Sequence, residues 1–225
     1  MKTNKKFTNA VILIVSLSLF AAGCGLSKTT KGAMVGTGGG AVIGAVIGRA
    51  AGNTALGALI GATVGGVTGA VIGRKMDKQA QEIENTVPGA TVYRVGEGII
   101  VEFNDKILFA VNESNLNASA KENLSKLVTV LNKYPDTDIE VQGHTDNTGT
   151  DSYNMSLSKK RASEAANYIK ERGIASSRTS IKGYGESAPN YTNDTEEGRS
   201  KNRRVEFLIT ANEKMVEDAK KESGN

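Results

Sequence analysis

The sequence predicts an α/β sandwich in its C-terminal half, preceded by a glycine-spaced helical hairpin. Two observations carry this. Short runs with strict apolar–polar alternation are interleaved with two long stretches of helical apolar spacing between residues 90 and 212. Ahead of them, glycine recurs at nearly every fourth position from residue 32 to residue 74. At 225 residues and 39% hydrophobic content, the chain can bury one good core and little more.

Residues 1–23 read as a secretory signal. Lys2, Lys5 and Lys6 make a basic start, and Val11 to Phe20 is an apolar run too short to cross a bilayer as a helix. Small residues Ala21-Ala22-Gly23 lead directly to Cys24, the only cysteine. The arrangement resembles a lipobox, with Ala21 where leucine is usual. It implies cleavage before Cys24 and acylation of its thiol, with residues 24–31 as a lipidated linker. Acyl chains contribute about 0.8 kcal/mol per buried CH₂, so Cys24 is an anchor to membrane lipid and not a nucleophile. Gly25 after the cysteine favours the outer membrane. Removing three lysines lowers the formal charge from +4 to +1. That excludes a nucleic-acid binder, which needs a dense basic face. A lone cysteine also excludes a disulfide within the chain and a cysteine cluster for a metal.

Fourteen of the 26 glycines lie between Gly32 and Gly73, separated by Val, Ile, Leu and Ala with Arg49 as the one charge. A flexible linker would carry polar residues at those positions. Glycine at fourfold spacing lets two helices approach closely. Residues 32–74 are therefore predicted as a helical hairpin, broken at Asn53-Thr54, whose helices of about 18 residues would each span about 27 Å. That length is close to a hydrocarbon core, and Arg74, Lys75 and Lys78 would mark the exit at the headgroups. The alternative is a helical pair packed on itself or on a partner. Residues 75–89 form a linker helix, with Met76, Ala80, Ile83 and Val87 on one face and Pro88-Gly89 as its stop.

In residues 90–212, Thr91–Val95 and Ile99–Phe103 are predicted as a hairpin and Lys106–Ala110 as a further strand. Leu116, Leu124, Leu127, Val128 and Leu131 mark a helix ending near Pro135. Ile139, Val141 and Gly143 alternate with Glu140, Gln142 and His144 in a half-buried strand, which puts His144 on the polar face. A second helix is predicted over Ser156–Arg172, capped by Gly173. Strands follow at Ser180–Gly183 and Arg204–Thr210. Residues 213–225 read as a polar tail, solvated helix or disorder, without a role.

On the second helix Arg161 shares a face with Leu157, Ala165 and Ile169, where an unpaired guanidinium is expensive. The strand before it ends in Gly143-His144-Thr145-Asp146. Asp146 and Arg161 are thus predicted to flank one concavity, either as a binding pair or as an internal salt bridge with each other or with Glu164. His144, the only histidine, has no nucleophile elbow or oxyanion loop near it, so catalysis is not expected.

Four ordered blocks then carry a resemblance: His144-Thr145-Asp146-Asn147-Thr148-Gly149; Asn154-x-x-Leu157-Ser158-x-x-Arg161-Ala162; Gly183-Tyr184-Gly185-Glu186; and Gly198-Arg199-x-x-Asn202-Arg203-Arg204-Val205-Glu206. Together they resemble the OmpA-like C-terminal domain, as in peptidoglycan-associated lipoproteins. The resemblance implies a mixed sheet with two main helices on one face. It also implies non-covalent binding of peptidoglycan through the diaminopimelate of uncrosslinked stem peptides, with Asp146 on the ammonium and Arg161 on the carboxylate. Asn154 and Asn112 match positions lining the groove, although Ala110 stands where many members carry Asp after the Phe. Arg203 and Arg204 match too and read as structural or rim residues. No cofactor or metal is implied. The expected function is a lipid-anchored outer-membrane protein with its C-terminal domain in the periplasm, tethering membrane to wall. A stator role is discounted, because residues 32–73 lack the acid that proton flow requires. The alternative is a self-associating or pore-like assembly built on the glycine hairpin, with wall binding secondary.

Overall fold

A computed structural model describes residues 66–109 and 113–224. Cys24, Asn112 and the glycine-spaced segment up to Gly65 lie outside the described residues.

The first element is one continuous helix, α1 (Gly66–Thr86). It crosses the expected boundary between hairpin and linker at residues 74 and 75 without a break, and Pro88 lies just beyond its end, as anticipated. Thr68, Gly69, Val71 and Ile72 are buried, as are Met76, Ala80 and Ile83 further along the helix. The end of the glycine-spaced segment therefore belongs to the core of the domain. Among the described residues, no helix is long and apolar enough to cross a membrane.

The hairpin β1 (Thr91–Val95) and β2 (Gly98–Asn104) turns through Gly96-Glu97. The strand predicted from Lys106 is a single helical turn, α2 (Asp105–Leu108), followed by Phe109 in an isolated bridge to Leu116. The cause is local: the Asn104 side chain caps the turn by accepting from the Lys106 amide. Helix α3 (Ala118–Lys133) is capped in the same way by Asn117. Strand β3 (Thr137–His144) leads to α4 (Asp151–Glu171), then to β4 (Thr179–Gly185). The N-terminus of α4 lies five residues earlier than predicted. Thr150 caps it, but Asp151, Ser152 and Tyr153 are exposed, so this first turn carries no apolar spacing. At its other end Gly173 takes φ +100°, as its capping role requires. Helix α5 (Glu196–Asn202) and strand β5 (Arg204–Ala211) follow. The presumed polar tail is helix α6 (Glu213–Glu222), which buries Met215 and Ala219 and packs along α1. Only two of its positions are apolar and buried, too few to announce a packed helix in the sequence.

The five strands lie in the order β1-β2-β5-β3-β4. All neighbours are antiparallel except β3 and β4, which are parallel and joined through α4 as a crossover. One apolar core lies between the sheet and α1, α3 and α4, with Phe103, Leu124, Leu131, Val141 and Phe207 at its centre. Helix α4 sits tightly on β3 and β4 because two strand positions have no side chain. A Cβ on Gly143 would lie 2.0 Å from the Ser158 carbonyl oxygen, and one on Gly183 would lie 2.7 Å from the Lys159 amide nitrogen.

Two predictions follow from this packing. Ile72→Ala should lower the unfolding free energy by about 2 to 5 kcal/mol in urea titration of the full chain; a lipid-facing Ile72 would leave domain stability unchanged. Gly143→Ala should cost at least about 3 kcal/mol, since backbone and not a flexible side chain occupies the space.

Candidate binding site

The site begins with the capped turn α2. It presents Asp105, whose backbone amide donates to the Arg203 carbonyl at 2.9 Å. From α4, Arg161 reaches the same place: its Nη1 is 3.4 Å from Asp105 Oδ2, and its Nε donates to the Glu113 carbonyl at 3.1 Å. The guanidinium also lies over the Phe109 ring, 5.1 Å from the centroid. Arg203 comes from the junction of α5 and β5. It pairs with Asp105 at 3.6 Å, with Glu196 at 2.9 Å, and with Asp146 through a short contact.

Asp146 and Arg161 thus belong to one network but form no ion pair with each other among the described residues. The pair expected from sequence is bridged by Asp105, which sequence reading left aside, and by Arg203, which it read as structural or rim and which pairs with three carboxylates. Glu164 does not replace Asp146 as partner to Arg161; it lines a separate groove of about 370 Å³ with Asn115, Lys121, Tyr168 and Arg172. Asn154 is buried nearby in the first turn of α4, where its amide donates to Glu186 at 2.5 Å.

Asp105, Asp146 and Arg161 are buried, while Arg203 is half-buried and Glu196 exposed. Burial pushes the Asp105 carboxyl above its ordinary range, although Arg161 and Arg203 both oppose the shift. Burial acts on Asp146 in the same direction, but hydrogen bonds from Thr148 and Arg203 outweigh it and leave this carboxyl lowered. Burial likewise lowers Arg161, against the pull of Asp105. The Asp146 oxygens are both engaged: Oδ1 accepts from the Thr148 amide at 2.9 Å and Oδ2 from Arg203. Asp105 Oδ1, by contrast, is buried without a hydrogen-bond partner. Two acids and two guanidiniums side by side suit a zwitterionic ligand, which offers one charge to each kind of group.

His144 lies across the sheet from α4, because its neighbours on β3 and β5 alternate faces. It is on the polar face as expected, but 1% exposed there, stacked on Tyr184 with ring centroids 5.2 Å apart. Burial and the Arg204 charge hold its pKa down to about 3, so it stays neutral. The hydroxyl of Ser158 is on the other side of the sheet, donating to the Met155 carbonyl and accepting from the Gly185 amide. No nucleophile–base pair is assembled from these residues. Beside His144, Arg204 bonds Glu206 at 2.6 Å and lies 3.7 Å from Glu102. Burial and repulsion from Glu206 push the Glu102 carboxyl up to about 7.

Comparison with known proteins bears on these residues. A model of the OmpA family matches residues 108–203, and a model of the YMGG-like glycine zipper matches residues 1–77. The peptidoglycan-associated lipoprotein of Brucella melitensis is 32% identical over 121 residues, 54% of this chain and 72% of that protein. The probable lipoprotein YiaD of Escherichia coli is 33% identical over 137 residues, 60% of this chain and 63% of YiaD, so the match spans less than two thirds of that relative. Among solved structures, the cell wall anchor of the T6SS from Pseudomonas aeruginosa superposes with a TM-score of 0.53 at 27% identity, over 60% of this chain and 96% of that one.

The acids behind the sheet make a pH prediction. Folded Glu102 keeps its proton to about pH 7, while an unfolded glutamate loses it near 4.5. The folded state binds more protons in that window, so this group's contribution to stability falls as pH rises through it. His144 acts oppositely between about 3 and 6.5, where only the unfolded state is protonated. Glu102→Gln should therefore stabilise the chain little at pH 4.5 and by roughly 1 to 3 kcal/mol at pH 8, measured by urea unfolding at both pH values.

Proposed function

Because the chain belongs to the OmpA family, we propose that it is an outer-membrane lipoprotein that holds peptidoglycan non-covalently and catalyses nothing. The observation that carries this is the network of buried Asp105, Asp146 and Arg161 with half-buried Arg203, charges of both signs that suit a zwitterion. In this reading the ligand is the free end of diaminopimelate in an uncrosslinked stem peptide. Its carboxylate takes the fork of Arg161, and its ammonium competes with Arg203 for Asp146. Asn154 and Asn112 line the groove. A lysine-type stem brings an ammonium without a carboxylate and leaves Arg161 without its anionic ligand, which favours the diaminopimelate wall.

The anchor in this proposal is acylated Cys24, with the domain from Gly66 onward on the periplasmic side. The names of the relatives, a peptidoglycan-associated lipoprotein and a probable lipoprotein, support a lipoprotein that associates with the wall. The glycine-zipper match supports self-association of the segment ahead of Gly66.

Sedimentation with isolated sacculi tests the reading on the full chain in detergent. The protein should pellet with diaminopimelate-type sacculi and at least tenfold less with lysine-type sacculi. Asp146→Ala and Arg161→Lys should each abolish that preference; the lysine keeps the charge beside Asp105 but lacks the fork. Undiminished, selective binding by both variants would reject the assigned site.

A further inference from the structure

We propose that Asp105 is a second acceptor for the ligand's ammonium, acting beside Asp146; this rests on the reading of Arg161 as the carboxylate clamp. An α-amino acid carries its ammonium and carboxylate on the same carbon. If Arg161 takes the carboxylate, an acceptor for the ammonium has to stand directly beside Arg161. Asp105 stands there, with Oδ2 3.4 Å from Arg161 Nη1, whereas Asp146 reaches the network through Arg203.

Occupancy favours the same residue. Both Asp146 oxygens have partners, and the ligand gains one only by displacing Arg203. Asp105 Oδ1 is buried and has none. The Lys106 amide donates to Asn104 at 3.0 Å and acts on the Asp105 carboxyl only as a nearby dipole that lowers its pKa. A buried carboxylate oxygen left without a donor is costly, and an ammonium with three donors relieves it without breaking another bond. The carboxylate is also held in place before binding. Asn104 caps its turn, and the Asp105 amide is bonded to Arg203, so little conformational freedom is lost on binding.

The test uses the full chain in detergent and three synthetic stem tripeptides ending in meso-diaminopimelate, in 2-aminopimelate, which lacks the distal ammonium, or in lysine. By calorimetry, wild type should bind the diaminopimelate peptide at least tenfold tighter than either of the others. Asp105→Asn should weaken the diaminopimelate peptide about ten- to hundredfold and close most of its gap to 2-aminopimelate. If the variant keeps that gap, or loses both peptides equally, Asp105 only positions Arg161 and the inference fails. If wild type does not prefer diaminopimelate to lysine, the underlying site reading fails first. A wild-type measurement covers the case of an unfolded variant. The carboxyl ¹³C resonance of Asp105 should move on adding the diaminopimelate peptide and stay put with 2-aminopimelate, and an unmoved resonance with both overturns the proposal.

Discussion

Two bare strand positions, Gly143 and Gly183, let the backbone of α4 lie directly on the sheet. With the Ser158 carbonyl where a Gly143 Cβ would stand, α4 has one depth and one rotation on the sheet. That seating buries Ser158, Ala162, Ala165 and Ile169 in line. It also fixes Arg161, one turn beyond Ser158, at the end of the sheet where α2 and the junction of α5 and β5 meet. A methyl group at Gly143 would move the guanidinium as well as the helix.

Electrostatics divides the domain into two compartments separated by the sheet. On the helix side, two acids and two guanidiniums make a network with one buried acceptor unfilled. On the opposite side, Arg204 serves Glu206 and Glu102 beside a neutral His144. Burial first, and the neighbouring Glu206 second, keep the proton on Glu102 in the second cluster. The two differ in what they leave open. The first lies where α2, α4, the end of β3 and the α5–β5 junction meet. The second lies under the segment that carries Ala188 and Asn190, whose groups bond Arg204 and Glu206. Placement, and not the residue types alone, separates a site from a structural pair.

The domain is larger than its sequence blocks. Helices α1 and α6 pack against each other at its edge, joined by a Thr68–Ser223 hydroxyl contact of 3.0 Å and a Lys75–Glu222 ion pair of 3.2 Å. Val71 and Ile72 close the core from the glycine-spaced side. The exposed pair adds little, and the apolar burial dominates. From Gly66 onward the chain enters the domain through a helix built into its core.

Much of this was legible in the residues alone. Alternation located β1, β2, β3 and β5, because one face of each meets a continuous core, and Gly173 marked the end of α4 through a φ only glycine takes easily. The motif blocks brought Asp146, Asn154 and Arg161 to one region, since side chains on a strand end and the first turns of the next helix stay close. Local pattern failed where a single side chain or a distant partner decided the outcome. Asn104 turned a presumed strand into α2, and contact with α1 packs a tail read as solvated helix or disorder. Which acid meets Arg161 depends on how α2, α4 and the α5–β5 junction converge. Asp105 and Arg203 lie 98 residues apart in the chain yet share a backbone hydrogen bond. Periodicity reports only which face a side chain occupies, whereas the choice of ionic partner is made by packing across the domain.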